Sequence, residues 1–380
     1  MNLVCVIRAG KHLSHTLASI KFSMHGESID LPYIICHTWE EGFVEAKQSY
    51  NYGLFVDSGT VFYDIQNFIK ELSNYPHQGL VGHIVDPKNA DEYYWLHPQC
   101  FLLELQQFDV DNFNELHNQE VVVPARSEKN IHDDYTPLWV KNSGQIKSYD
   151  TSKFGGLLIN QILQSKKLVA NFSVPLRGMK QFLYTDEIKN NWIEYNKEYM
   201  KMASNQLWIL NNEPIDVNFK HDKVICPGSG FYWMLAAEQA IEQIDIVDIS
   251  KIQIKFVRDL LEHWNGKDYG GFVVDFMQSN SVVHYNLDKD ITKLDRLKFA
   301  NKDLLRRYIN EHAITVNWEL IKTKKINLHN ENIVPYVLAN QPTNTDFWIS
   351  NILNYKYTLL TTVYEDIQKF QDYIKYERKT

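Results

Sequence analysis

Residues 224–250, VICPGSGFYWMLAAEQAIEQIDIVDIS, constrain the fold of this chain more than any other stretch. An apolar run ends in a proline–glycine turn, a helical pattern follows, and a second apolar run ends at Asp248. Two buried strands joined through a helix form a parallel pair with a right-handed crossover. Glycine in the turn lets the backbone bend tightly or approach a neighbour without a Cβ in the way. Downstream, IQIKFVRDLLEHW (252–264) has helical spacing, and GFVVDF (271–276) reads as a third strand ending at Asp275. LWIL (207–210) is a short strand before the turn. Residues 291–325 read as largely helical, FWISNIL (347–353) as a late strand, and VYEDIQKFQDYIKYERK (363–379) as a closing amphipathic helix.

The first half has the same alternation. LVCVI (3–7), PYIIC (32–36), YGLFV (52–56), GLVGHIV (79–85) and CFLLEL (100–105) are strand-like apolar runs. DIQNFIKELSNY (64–75) and FGGLLINQILQS (154–165) have helical apolar spacing, the former with Asp64 at its start. Between the halves, TDEIKNNWIEYNKEYMKMASNQ (185–206) is polar, helical in period and free of Gly and Pro. The expected class is α/β in two domains. The first spans residues 1–190 and the second, a parallel sheet, spans 207–380, with a connecting helix over 191–206.

Of the 380 residues, 44% are hydrophobic and 23% charged, the balance of a folded chain. A net charge of −8 excludes broad, sequence-independent nucleic-acid binding, which rests on clustered cations. Cys5, Cys36, Cys100 and Cys226 lack metal-type spacing and each lies beside apolar residues, so buried free thiols are expected. The start, MNLVCVIRAG, has no charged leader before a long apolar region, and no run matches a spanning helix. A cytoplasmic protein without a membrane segment is the expectation.

Open parallel sheets bind ligands outside the carboxyl ends of their strands. Gly228, Ser229 and Gly230 occupy such an end, and Asp248 ends the next expected strand, where a carboxylate accepts hydrogen bonds from ribose hydroxyls. VICPGSGFYWMLAAEQ followed by VDIS resembles the first two motifs of Rossmann-type S-adenosylmethionine-dependent methyltransferases. The resemblance implies that Gly228, Ser229 and Gly230 line S-adenosylmethionine, with Asp248 on its ribose and Asp275 near its adenine. It also implies that FWISNIL stands at the family's fourth strand, which nominates Ser350 and Asn351 beside the methyl acceptor. Pro227 departs from the family's turn, as does the long interval between Phe276 and Phe347.

A second resemblance lies in LFVDSGTVFYD (54–64), which is similar to the metal-binding region of GT-A glycosyltransferases. There a strand ends in Asp-any-Asp, and the carboxylates hold a divalent cation such as Mn or Mg against a sugar-nucleotide diphosphate. YYWLHPQCFLLELQQF (93–108) stands where that fold faces the donor sugar. Here Asp57 is present, but Gly59 takes the second acid's place, so Asp133, with neighbours His132 and Asp134, is a candidate to complete the metal site. The fold class implied is therefore a GT-A-like α/β layer followed by a Rossmann-like parallel sheet.

Smaller groups are His83, Asp86, His97 and Cys100 near strand ends, where metal ligation competes with turn and core roles. Arg177 and Lys180 offer an anion contact or an ordinary surface pair. Three functions follow. The first is methyl transfer from S-adenosylmethionine to an unknown acceptor, a small molecule or glycan. The second is glycosyl transfer at the N-terminal domain, and the third is a non-catalytic binding or assembly role on the same folds.

Overall fold

The computed structural model describes residues 2–73, 80–85, 95–110, 134–135, 149–150, 169–171, 185–210, 219–286, 301–349 and 352–377. The chain divides into two compact units, Met1–Lys197 and Glu198–Thr380, each a mixture of helices and sheet.

In the first unit, β1 (Leu3–Arg8) is buried on both faces and sits between β2 (Tyr33–Cys36) and β3 (Tyr52–Asp57), parallel to both. Helices α1 (Leu13–Lys21), α2 (Trp39–Lys47) and α3 (Ile65–Ser73) accompany these strands. The α2 helix begins on a capping box in which Thr38 and Glu41 each satisfy the other's backbone N–H. As the sequence implies, Asp64 caps the start of α3, accepting from the Asn67 N–H at 2.9 Å. After β4 (Thr60–Phe62), β5 (Leu80–Val85) and β6 (Trp95–Glu104) extend the sheet in the order β2-β1-β3-β6-β5. The β6 strand runs antiparallel to both its neighbours and starts five residues before the expected CFLLEL run. Trp39, Phe55 and Phe101 pack together, with the Phe rings stacked at 4.9 Å. The short strands β7 (Asp134–Tyr135), β8 (Tyr149–Asp150) and β9 (Val169–Asn171) lie outside this sheet.

The polar stretch at 185–206 forms two helices, not one: α4 (Thr185–Tyr195) and α5 (Lys197–Ala203). They part at Asn196, which is fully buried and turns its side-chain amide back onto the Trp192 carbonyl at 2.9 Å. The boundary between the two units falls beside this break.

The second unit is built on β11 (Lys223–Cys226), preceded by the short β10 (Leu207–Trp208). The turn after β11 leads into α6 (Tyr232–Ala237), a helix of six residues that is shorter than the 231–243 pattern implies. Then come β12 (Gln243–Val247) and α7 (Lys251–His263), the latter capped by Ser250. The third strand is not GFVVDF. That segment lies in α8 (Tyr269–Ser279), capped by Asp268, whose side chain accepts from the Gly271 N–H. A continuous apolar run fits a buried helix as well as a strand. Here Val273, Val274 and Phe276 join the core, and Gly270 packs so closely on the next helix that a Cβ would fall 2.3 Å from the Arg306 carbonyl. Asp275 consequently stands exposed in mid-helix, not at a strand end.

Beyond β13 (Tyr285–Asn286), which pairs with β10, come α9 (Lys302–His312) and α10 (Trp318–Ile321). The true third strand is β14 (Lys325–His329), which overlaps the end of the segment expected to be helical. It is followed by α11 (Ile333–Asn340), β15 (Asp346–Phe347), α12 (Lys356–Thr361) and α13 (Tyr364–Glu377). The strand expected over 347–353 is thus a two-residue element that begins one position earlier. The sheet order is β14-β12-β11-β15, and every pair is parallel.

One buried acid pins this sheet. Asp245, in mid-β12, accepts from Gln243 at 3.0 Å and Asn327 at 2.6 Å and pairs with Lys223 at 3.0 Å. Burial works against its charge, but the bonds from Asn327, Lys223 and Gln243 more than offset that and hold its pKa below the usual carboxylate value. The network joins β11, β12 and β14 on one face, so a slipped register would break it. Replacing Asp245 by Ala is expected to lower stability by about 3 kcal/mol at pH 7, because Lys223 and Asn327 lose their acceptor. The depressed pKa makes this contribution complete at neutral pH and lost as pH falls through the folded value. Urea unfolding from pH 7 down to pH 3 should therefore show the wild-type and Asp245→Ala curves converging in acid.

Candidate functional site

The strand order of the second unit reverses at β11, because β12 and β15 lie on opposite sides of it. A crevice outside the carboxyl ends of the strands at such a point is where open α/β sheets bind ligands. A cleft opens there, holding about 910 Å³ of empty space with its mouth included. It is lined by the turn (Pro227, Ser229), the end of β12 (Val247–Ser250) and the segment after β14 (Glu331–Ile333). The α5 end and β10 contribute Tyr199, Gln206 and Trp208, Tyr232 comes from α6, and the segment after β15 contributes Ile352, Tyr355, Tyr357 and Thr358.

The turn is shaped from within. Gly230 has φ +55°, a left-handed conformation that a glycine adopts without strain. Gly228 is needed for space, since a Cβ would lie 3.1 Å from Gln253 Cγ and 3.2 Å from Ile246 Cγ2. The Gly228 N–H donates to Asp248 Oδ2 at 3.1 Å, and its carbonyl accepts from Gln253 Nε2 at 2.6 Å. Gln253 is fully buried, and its Oε1 also accepts from the Trp208 N–H at 2.7 Å. The Gly230 N–H donates to the Trp208 carbonyl. Of the three expected cofactor residues of the turn, only Ser229 faces the cleft, while Gly228 and Gly230 hold its shape.

Asp248 lines the cleft where the sequence places it. Its carboxylate accepts from the Gly228 N–H and from the Ser250 N–H at 2.8 Å. Desolvation dominates these bonds and raises the acid to about 6. Two aspartates three positions apart, one in the middle of β12 and one just past its end, are therefore tuned in opposite directions. Lys356, buried behind the wall with its ammonium 5.0 Å from the centre of the Tyr199 ring, is brought down to about 8 by desolvation.

Asp275 does not line this cleft. The segment that takes its expected place is the end of β14 and the turn after it, where Glu331 and Asn332 face the cavity. The alternation Lys-Ile-Asn-Leu-His over 325–329, followed by an Asn-rich turn, is the sequence signal that finds this strand. Asn332 caps α11 and donates to Thr361 and Thr362, which ties the cleft wall to the C-terminal end of α12. Ser350 and Asn351 lie outside the described residues. Tyr199, Trp208, Tyr355 and Tyr357 carry no motif in the sequence and meet only through the fold.

In the first unit Asp57 ends β3 beside the end of β1, again where strand order reverses. It is not an open metal ligand here. The Arg8 guanidinium takes both its oxygens, Nε to Oδ1 and Nη2 to Oδ2, each at 3.0 Å, and stacks over Trp39 at 4.8 Å. No group of three or more His, Cys, Asp or Glu that could hold a metal occurs among the described residues. Asp133, like His132, Asp86, Arg177 and Lys180, lies outside them, and the side chains of His83 and His97 are not among those described. The four cysteines are buried free thiols, all pushed upward by desolvation. Among the described residues, no helix is long and apolar enough to cross a membrane.

No protein-family model matches this chain, and no curated protein is significantly similar to it.

Two outcomes test this geometry. Gln253→Ala is expected to cost about 2 kcal/mol in urea unfolding, since it leaves the Trp208 N–H and Gly228 carbonyl without their partner. Ionised Gln253→Glu sets a buried carboxylate against the Gly228 carbonyl and should cost at least as much as Gln253→Ala at pH 7. The second outcome concerns Asp248, whose raised pKa means that the folded state holds its proton more tightly than the unfolded chain. Its ionisation should withdraw about 3 kcal/mol of stability as pH rises from about 4 to about 6, with no further change above. Asp248→Asn should abolish that slope.

Proposed function

We propose that the second unit is a Rossmann-like domain that binds S-adenosylmethionine and transfers its methyl group. The observation that carries this reading is the charge of the cleft at the reversal point. Its charged lining residues are Asp248 and Glu331, and no Lys, Arg or His is among the described residues that line it. A dinucleotide brings a diphosphate to such a turn, where free backbone N–H groups and cations meet it. Here the N–H groups of Gly228 and Gly230 are already spent within the protein, and α6 is too short to present a strong dipole. A sulfonium nucleoside has the opposite charge, and carboxylates and aromatic faces favour it.

The donor set fits the cofactor. In this reading Asp248 would accept from the ribose hydroxyls, with Glu331 and Asn332 at the base and Ser229 at the amino acid part, all of them residues that line the cleft. When bound, S-adenosylmethionine supplies a methyl group on a positively charged sulfur leaving group. The chain's own task is then to orient an acceptor in line with that methyl and to exclude water. Tyr232, 4% exposed, and the rings of Trp208 and Tyr355 furnish the apolar surface for this.

A second reading, glycosyl transfer by a GT-A-like first unit, has in its favour the place of Asp57 at the carboxyl end of β3 where strand order reverses, and against it the Arg8 fork on both carboxylate oxygens. A ligand panel separates the readings. Thermal shift with S-adenosylmethionine or its demethylated product should raise Tm, with the gain abolished in Asp248→Ala. Because the ionised carboxylate is the acceptor, affinity should rise up to about tenfold per pH unit toward pH 6 and level off above it. Stabilisation only by uridine or guanosine diphosphate with manganese, lost in Asp57→Ala, would favour glycosyl transfer. Silence to all these ligands would favour a non-catalytic binding or assembly protein.

A further inference from the structure

The cleft of the second unit carries negative charge that the protein does not balance. Asp248 and Glu331 line it, and neither makes a salt bridge with any of the described residues. The bonds on Asp248 come from neutral backbone N–H groups, and burial raises its pKa to about 6. At pH 7.5 it is therefore ionised and poorly compensated. Trp208 and four tyrosines line the same cleft, and aromatic faces attract cations. Lys356 stands behind the wall with its ammonium against the Tyr199 ring, and it does not line the cleft. Burial brings its pKa down to about 8, which weakens the charge it sets against a cationic ligand.

We infer that the cleft holds its cofactor by the positive charge on sulfur, and that it therefore lets the demethylated product go. The inference rests on the methyltransferase reading given above and concerns how that same site is kept free of its product. S-adenosylmethionine and the product share the adenosine and the amino acid part, so those contacts cancel when the two affinities are compared. They differ by a methyl group and a unit of charge. In the transfer step the acceptor's lone pair forms the new bond to the methyl carbon. The S–C bond breaks with its electron pair going to sulfur, which becomes a neutral thioether, and the positive charge passes to the acceptor. The sulfur is joined to the ribose whose hydroxyls Asp248 would hold, so the carboxylate attracts it before transfer and not after. A tenfold preference for the cation corresponds to about 1.4 kcal/mol, the scale of a single cation–π contact.

Calorimetry on the full chain at pH 7.5 tests this with three ligands. They are S-adenosylmethionine, its demethylated product, and the analogue that carries a carbon-bound ammonium in place of the methylated sulfonium. Both cations should bind at least tenfold tighter than the neutral product. Glu331→Gln, which alters charge with little change of shape, should shrink that ratio at least twofold. Asp248→Asn should weaken all three ligands and shrink the ratio as well. If the product binds as tightly as S-adenosylmethionine, or both variants leave the ratio unchanged, the charge assignment is wrong and the methyltransferase reading stands. If S-adenosylmethionine is preferred but the ammonium analogue is not, contact with the methyl group decides, and the charge assignment is again wrong. If none of the three binds, both fall.

Discussion

The hydrogen bonds of one buried amide, Gln253, join two walls of the cleft in the second unit. Its oxygen holds β10 and its nitrogen holds the glycine turn, so two segments of different origin are kept at a fixed separation. Gly228 eases this reach, since a Cβ there would stand 3.1 Å from Gln253 Cγ and press on the side chain. Ser250 completes the arrangement by capping α7 at the Gln253 N–H and donating to the Gln206 carbonyl. The path from a glycine in the sequence to a ligand-sized hollow therefore runs through packing and hydrogen bonding within the protein, not through a ligand.

The two aspartates of β12 show how position sets chemistry for one residue type. Asp245 is surrounded by donors from three elements and is held ionised as a structural pin. Asp248, one turn of the chain further on at the strand end, has two backbone donors, which do not cancel its desolvation. Such an acid is poorly satisfied by the protein alone and gains from donors that a ligand brings. In the first unit Asp57 stands at an equivalent kind of place, a strand end at a reversal of order, yet its two bonds come from the charged Arg8 fork, where those printed for Asp248 come from neutral backbone N–H groups. Similar topology therefore yields a receptive acid in one unit and a closed ion pair in the other.

Much of the fold is legible in the sequence where apolar runs are short and bounded by turn residues. Strands β1, β2, β3, β11 and β12 and helices α3 and α7 follow from that pattern. Asp248 and Ser229 were also legible as cleft residues, since the glycine turn and the end of the next strand locate them. The failures share one cause. GFVVDF is apolar throughout, and its period does not distinguish a buried strand from a buried helix. Asp268 as a cap and Gly270 as a point of helix contact decide for helix, and both act through neighbours distant in sequence. With that segment helical, the cleft is lined not by Asp275 but by Glu331 and Asn332, about sixty residues away. Asp57 was legible as a strand-end acid, but its pairing with Arg8 was not, because 49 residues separate the two.

The sequence by itself determined the α/β class, the parallel pairing of β11 with β12, and the placing of a carboxylate at the mouth of that pair. These follow from local patterns of burial and turn chemistry. Only the tertiary structure decided that the strand order reverses at β11 and that Trp208, Tyr232 and Tyr355 converge there. It also decided that the glycine turn spends its N–H groups inside the protein. The physical reason is that charge, burial and ring contacts in a cleft are sums over segments more than a hundred residues apart. Such sums are fixed by the packing of the whole unit and by no single stretch of chain.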